Sequence, residues 1–199
     1  MIYDIPSIKK FSENMIVYSE GDLPDTPQII LIKNFLTCEE CNEIIEISKN
    51  TIREPATIIC KKTGIDIVDK NIRDATFTKH SRNFYKNINK KIYDLTEWSS
   101  EHLEPPKVLH YKIGGRVALH HDCSDTLEKN RLANFLIYLN TPEIGGETVF
   151  PKMKVMVKPK RGDCLFFNFV PNLTQKSIHG CNSIKKGEKW IVSYWLKEK

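Results

Sequence analysis

From Lys107 to the C-terminus, short apolar runs alternate with turn residues. "KVLHYKI" meets Gly114-Gly115, then "RVALHHD" and "RLANFLIYL" lead to Gly145-Gly146. "ETVF" and "KVMVK" precede Arg161-Gly162, "DCLFFNF" and "KSIHG" precede Lys186-Gly187, and "KWIVSYWL" closes the chain. About eight strands at this spacing predict an all-β sandwich or barrel. Upstream the pattern differs. Residues 1–27 are polar and broken by Pro6, Pro24 and Pro27, which predicts an irregular arm with a short strand around Ile16–Tyr18. "QIILIKNF" (28–35) reads as an apolar strand. Thr37 and Glu40 then have the spacing of a capping box that opens a helix. Its apolar positions, Cys41, Ile44, Ile45 and Ser48, recur at helical spacing. "ATIIC" (56–60) predicts a strand and Gly64 a turn. A second helix is predicted across 81–100, where Phe84, Ile88, Ile92, Leu95 and Trp98 form a stripe that packs on a sheet; Pro105-Pro106 ends the helical section. The fold class is therefore α+β, mainly β: a two-sheet jelly roll, or double-stranded β-helix, with supporting N-terminal helices on one side. Residues 28–199 form a single domain in this reading, with helical support over 37–100 and the jelly-roll core over 107–196.

Composition narrows the picture. A chain of 199 residues with 40% hydrophobic content suits one domain with a sizeable core. No apolar run approaches bilayer length. The segment "MIYDIPSIKKFSEN" lacks the basic-then-apolar order of a secretory signal, so a soluble cytoplasmic or other intracellular protein is expected. The 30 basic residues are interspersed with 25 acidic ones for a net charge of +5. The lysines at 152–161 and 185–189 read as solvated surface, and no nucleic-acid or membrane partner is expected. Six cysteines (Cys38, Cys41, Cys60, Cys123, Cys164 and Cys181) have irregular spacing and are expected as reduced thiols. Cys38-x-x-Cys41 lacks the second pair that structural zinc requires.

His120 and Asp122 in "ALHHD", followed at a distance by His179 in "KSIHG", make a His-x-Asp…His pattern. This is the ligand set of a two-His-one-carboxylate iron site, which grips Fe(II) on one side and leaves positions open for oxygen and a cosubstrate. In a strand, residues i and i+2 point the same way, so His120 and Asp122 share a face and His121 points elsewhere. A carboxylate inside an apolar stretch needs a partner. His80, His102 and His110 fit no motif.

Four segments in order, "YKIGGRVALHHD", "YLNTPEIGGETVFP", "VKPKRGDCLFF" and "SIHGCNSIKKGEKW", closely resemble the catalytic domain of the prolyl 4-hydroxylase family of iron- and 2-oxoglutarate-dependent dioxygenases. The strong resemblance covers 107–196, and a weaker one reaches back through the capped helix at 37–48. It implies His120, Asp122 and His179 as iron ligands. Lys189 matches the lysine that binds the distal carboxylate of 2-oxoglutarate, Tyr111 the tyrosine of a Tyr-x-x-Gly motif, and Thr148 a position lining the same slot. Arg131 resembles an arginine near the peptide groove. Gly145 and Gly146 serve the hairpin, and Trp190 and Trp195 the core. The implied reaction is hydroxylation of peptidyl proline coupled to decarboxylation of 2-oxoglutarate to succinate and CO2. It uses Fe(II) and O2, with ascorbate as a reductant. Two features depart from the family. His121 and Cys123 flank Asp122 where the family often has tyrosines, and "NIRDATF" matches its Arg-Thr-Ser segment only loosely. Peptidyl lysine or a small molecule is the alternative acceptor. A non-catalytic jelly-roll binding domain is the alternative class, and the complete ligand set with Lys189 argues against it.

Overall fold

The computed structural model describes residues 4–23, 25–51, 54–55, 57–59, 66–68, 75–79, 85–122, 131–169 and 174–198. β1 (Met15–Glu20) and β2 (Gln28–Ile32) precede helix α1 (Cys38–Asn50). Four short strands, β3 (Glu54–Pro55), β4 (Thr57–Ile59), β5 (Asp66–Val68) and β6 (Ala75–Lys79), lead to helix α2 (Lys86–Thr96). Then come β7 (Lys107–Tyr111), β8 (Val117–His120), β9 (Arg131–Tyr138), β10 (Ile144–Gly145) and β11 (Thr148–Phe150). β12 (Val155–Val157), β13 (Cys164–Asn168), β14 (His179–Cys181), β15 (Ile184–Lys186) and β16 (Lys189–Lys197) complete the order. Among the described residues, an eight-stranded sheet runs β1-β2-β13-β9-β16-β7-β6-β3 and a four-stranded sheet runs β12-β11-β14-β8. No helix among the described residues is long and apolar enough to cross a membrane.

The larger sheet is covered on both faces. Ile30, Ile32, Phe135, Ile137, Phe166, Val192 and Tyr194 pack with Cys41, Ile44 and Ile45 of α1 and Ile88 and Ile92 of α2. The alternate positions Ile29, Leu31, Leu136, Tyr138, Leu165 and Phe167 pack with Phe150 and Val157 of the smaller sheet. Period-two geometry sends successive side chains to opposite layers. A strand with both faces buried therefore reads as an unbroken apolar run, as "CLFFN" and "FLIY" do. Phe135 sits at the centre of the helix-side layer, fully buried, with its ring 4.8 Å from that of Phe166. Phe135→Ala is expected to cost about 3–5 kcal/mol, read as a lower urea midpoint at unchanged slope.

The capping box forms as its spacing predicts. Glu40 N–H donates to Thr37 Oγ1 at 3.1 Å, and Thr37 N–H donates to Glu40 Oε2 at 2.9 Å. Cys41, Ile44, Ile45 and Ser48 are the buried face of α1. The N-terminal arm is less irregular than predicted. Its strand runs from Met15 to Glu20, and Ile8 is buried, its backbone exchanging two hydrogen bonds with the Gln28 amide. α2 is shorter than the predicted 81–100, because Glu97 adopts a left-handed conformation (φ 60°) that ends it. Trp98 is buried beyond that end, and Phe84 lies outside the described residues. Past Lys107 the described residues hold two more strands than the pattern shows. β10 and β15 are two- and three-residue pieces that pair with each other inside segments rich in turn residues. They are too short to leave a periodic signature.

Candidate active site

Strand ends bring the predicted residues together. Tyr111 closes β7, His120 closes β8, Thr148 opens β11, His179 opens β14 and Lys189 opens β16. The ladders set His179 opposite His120 and Lys189 opposite Tyr111. Asp122 departs from the expectation that it shares a strand with His120. β8 stops at His120, where its antiparallel partner β14 begins at His179 and the residues before it, Thr174–Ser177, wind into a 3-10 turn. Asp122 sits two residues past that end, and a bend, rather than strand alternation, returns its carboxylate to His120.

The donor atoms of His120, Asp122 and His179 all lie within 4.8 Å of one another. His120 Nε2 is 3.3 Å from Asp122 Oδ1, and His179 Nε2 is 3.8 Å from Asp122 Oδ2. The other ring nitrogens fix the tautomers. His120 Nδ1 is 2.9 Å from the Ala118 carbonyl, and His179 Nδ1 is 3.0 Å from the Ser177 carbonyl. A carbonyl only accepts, so each Nδ1 carries a proton and each Nε2 is the ring nitrogen turned toward Asp122. Orienting bonds of this kind are the usual support of metal-binding histidines. Burial and then the charge on His120 push the His179 ring down to about 4, which keeps it neutral at neutral pH. Burial also opposes charge on His120, but the bond and charge of Asp122 outweigh it and raise its titration. Burial disfavours a charged Asp122 as well. The neighbouring His179 ring, the His120 ring with its hydrogen bond, and the Arg131 guanidinium overcome it and hold the carboxyl well below the usual carboxylate range. Phe150 and Phe167 wall the His179 ring, with centroids 5.5 and 4.6 Å away. Asp122 and His179 are buried while His120 is partly exposed, so the cluster opens to solvent on the His120 side. Two imidazole nitrogens at neighbouring strand ends and one carboxylate oxygen from the bend beyond β8 form a donor set that fits Fe(II).

Lys189 is the second unusual feature. Its side chain is 1% exposed. The ammonium donates to the Gly146 carbonyl at 2.8 Å and to Cys181 Sγ at 3.2 Å, and it lies 5.9 and 5.4 Å from the ring centres of Tyr111 and Tyr138. These are dipolar partners, not a carboxylate, and a buried charge is costly until a counter-charge arrives. Gly146 is more than a hairpin residue. Its φ is +79°, and an added Cβ would lie 2.7 Å from Ile184 Cδ1 and 3.4 Å from Lys189 Cδ. Only glycine brings that carbonyl to the ammonium without strain. Thr148 is buried and shares a 2.9 Å hydrogen bond with Tyr138 Oη. Burial first, then the nearby Cys181 and Asp122, raises the Tyr111 phenol, so it stays a protonated donor.

Three residues of this region escape sequence reasoning. Tyr138, at the end of β9, joins Thr148 beside Lys189. Asn134, in phase with Tyr138 on the same strand, donates from Nδ2 to Asp122 Oδ2 at 3.2 Å. Trp195, expected in the core, donates from Nε1 to the same oxygen at 2.9 Å. Lys189, Ile191, Ser193 and Trp195 alternate along β16 with the helix-facing Trp190, Val192, Tyr194 and Leu196. The phase of Lys189 was therefore the signal for Trp195. Trp190 is core, as expected, and stacks on His110, which bonds Glu188 at 2.6 Å. Arg131 is held: it makes two bonds to Glu104, at 2.7 and 2.8 Å, and its guanidinium lies 4.1 Å over the Trp195 ring. Cys60, His80, Cys123 and residues 71–74 of "NIRDATF" lie outside the described residues.

Comparisons with known proteins place the chain in a family. A family model described as the 2OG-Fe(II) oxygenase superfamily matches residues 106–197. The chain is 35% identical over 201 positions to an Arabidopsis thaliana protein named probable prolyl 4-hydroxylase 10, covering 86% of this chain and 69% of that one. This chain belongs to the prolyl 4-hydroxylase family. The 2OG complex of the viral collagen prolyl hydroxylase from Paramecium bursaria Chlorella virus 1 superposes with a TM-score of 0.67 at 25% identity, covering 86% of this chain and 96% of that one. A Trichoplax adhaerens prolyl hydroxylase, solved with a hypoxia inducible factor peptide fragment, shares the fold at 14% identity. Its TM-score is 0.65, with 85% of this chain and 83% of that one covered. The jelly roll predicted from strand spacing is the fold of this oxygenase family, and the family's chemistry uses Fe(II), 2-oxoglutarate and O2.

Proposed function

We propose that this prolyl 4-hydroxylase family member hydroxylates C4 of proline in an extended, proline-rich segment of another protein, with 2-oxoglutarate converted to succinate and CO2. The observation that carries the reading is the pairing of two features in one sandwich. A His-Asp-His cluster with both Nε2 atoms turned inward stands near a buried lysine that has no carboxylate partner among the described residues. When bound, Fe(II) with 2-oxoglutarate and O2 supplies the oxidising chemistry, and the protein contributes binding, orientation and a dry pocket.

Each side chain has a role in that reading. His120, Asp122 and His179 hold the metal from one side. Lys189 pairs with the distal carboxylate of 2-oxoglutarate, a task for which a compact ammonium with three donors is well suited. Tyr111 and Thr148 donate hydrogen bonds to the same cosubstrate, and Tyr138 fixes the Thr148 hydroxyl. Phe150 and Phe167 keep water from His179. The peptide approaches on the partly exposed His120 side, with Arg131 and Trp195 at the edge of its groove. Proline-rich segments favour polyproline II, whose unpaired backbone is available to a groove and whose ordering cost is already low. Residues 28–199 act as a single catalytic domain. The irregular spacing of the cysteines is in keeping with a reducing intracellular setting. Ascorbate serves to restore iron after uncoupled turnover.

Matched peptides with proline or alanine at one position test the reading. Oxygen incorporation, followed by mass, is expected in the proline peptide alone. Equal incorporation into both, or a modification mapping to lysine, moves the assignment to another acceptor. Arg131→Ala is expected to raise the peptide KM several-fold more than it changes the KM for 2-oxoglutarate. The reverse ordering removes Arg131 from the groove.

A further inference from the structure

Asp122 meets more than the two histidines. Its Oδ2 receives two hydrogen bonds, from Trp195 Nε1 at 2.9 Å and Asn134 Nδ2 at 3.2 Å, while Oδ1 faces His120 Nε2 at 3.3 Å. An ionised carboxylate oxygen offers about two lone-pair sites, so two donors occupy Oδ2. Neither donor is free to turn away. The Asn134 amide is oriented by the Ser193 hydroxyl, which donates to Asn134 Oδ1 at 3.1 Å. This leaves Nδ2 as the atom aimed at Asp122. The Trp195 ring carries the Arg131 guanidinium 4.1 Å over its face and the Lys107 ammonium 5.2 Å from its centre. Two cations against an indole draw density from the ring and strengthen its N–H as a donor. Glu104 locks this assembly twice. Its carboxylate grips Arg131 through two bonds, and its backbone N–H donates to the Trp195 carbonyl at 2.9 Å.

We propose that Trp195 and Asn134 are positioning residues that hold Asp122 through Oδ2 and leave Oδ1 as the oxygen that ligates the metal, with Glu104 and Arg131 bracing Trp195. This rests on the reading of His120, Asp122 and His179 as a metal site. The bend after β8 explains why such bracing is required. Asp122 lies outside any strand, so the sheet ladder does not hold it, and side-chain bonds from β9 and β16 take over that role. Without the two donors the carboxylate is free to rotate, and the metal must order it at the moment of binding.

The test titrates the apo protein with Co(II) alone and follows its visible absorption, with no turnover required. Trp195→Phe removes the N–H and keeps a ring beneath Arg131. It is expected to weaken Co(II) binding about tenfold, the low end for loss of an outer-shell partner. Ser193→Ala releases the Asn134 amide and is expected to weaken it about threefold, a smaller loss for an indirect contact. A purely structural role for Trp195 would lower the melting temperature of the apo protein and leave Co(II) affinity unchanged. If Trp195→Phe folds and binds Co(II) within about twofold of the parent protein, the proposal is overturned. If Trp195→Phe does not fold, Ser193→Ala decides in the same way. Failure of the parent protein to bind Co(II) at all would instead remove the metal site itself.

Discussion

Asp122→Ala is expected to abolish iron loading and turnover together. The carboxylate is the single negative charge in the cluster and the only oxygen donor among its three side chains. Two neutral imidazoles hold Fe(II) without charge compensation and with one side of the grip missing. The consequence reaches further than a lost ligand, because Trp195 Nε1 and Asn134 Nδ2 both lose their acceptor. Buried donors left unpaired cost roughly 1–3 kcal/mol, so a lower melting temperature accompanies the loss of activity. Metal content after reconstitution and succinate formation are the two measurements. His121→Ala is the control, since His121 is not part of the donor cluster, and both readings should stay close to those of the parent protein. Loss of iron binding in His121→Ala with retention in His120→Ala would show that the neighbouring histidine is the ligand.

Lys189→Ala is expected to raise the KM for 2-oxoglutarate at least tenfold while iron affinity changes little. A hydrogen bond to a charged group contributes roughly 1.5–3 kcal/mol, and each 1.4 kcal/mol is tenfold in affinity. Lys189 is buried with dipolar partners, so little of its charge is screened by water and the arriving carboxylate meets an under-compensated ammonium. Tyr111 and Thr148 remain to donate neutral hydrogen bonds, which is why binding weakens but does not vanish. Parallel titrations of 2-oxoglutarate against succinate output and of Fe(II) against the apo protein separate the two effects. An unchanged KM would sink the assignment of Lys189.

Much of this molecule is legible in its sequence. The capped helix was written in Thr37, Glu40 and the spacing of Cys41, Ile44 and Ile45, because a helix end is satisfied by residues three apart and its buried face by residues three and four apart. The jelly roll was legible in apolar runs and turn residues, because strand and turn preferences are local. The grouping of His120, Asp122 and His179 was legible because few residue types supply a metal-ligating donor set. Local pattern misjudged the places where pairing partners decide the outcome. β8 ends at His120, where the partner segment before His179 winds into a 3-10 turn at Thr174–Ser177, and no feature of "ALHHD" itself says so. The bonds of Trp195 and Asn134 to Asp122, the clamp of Glu104 on Arg131 and the thiol of Cys181 beside Lys189 join residues 8 to 73 positions apart. The residue types at strand ends and caps were set by the sequence alone. Which of them meet was decided by register and layer packing, because a contact between distant segments depends on how whole sheets align.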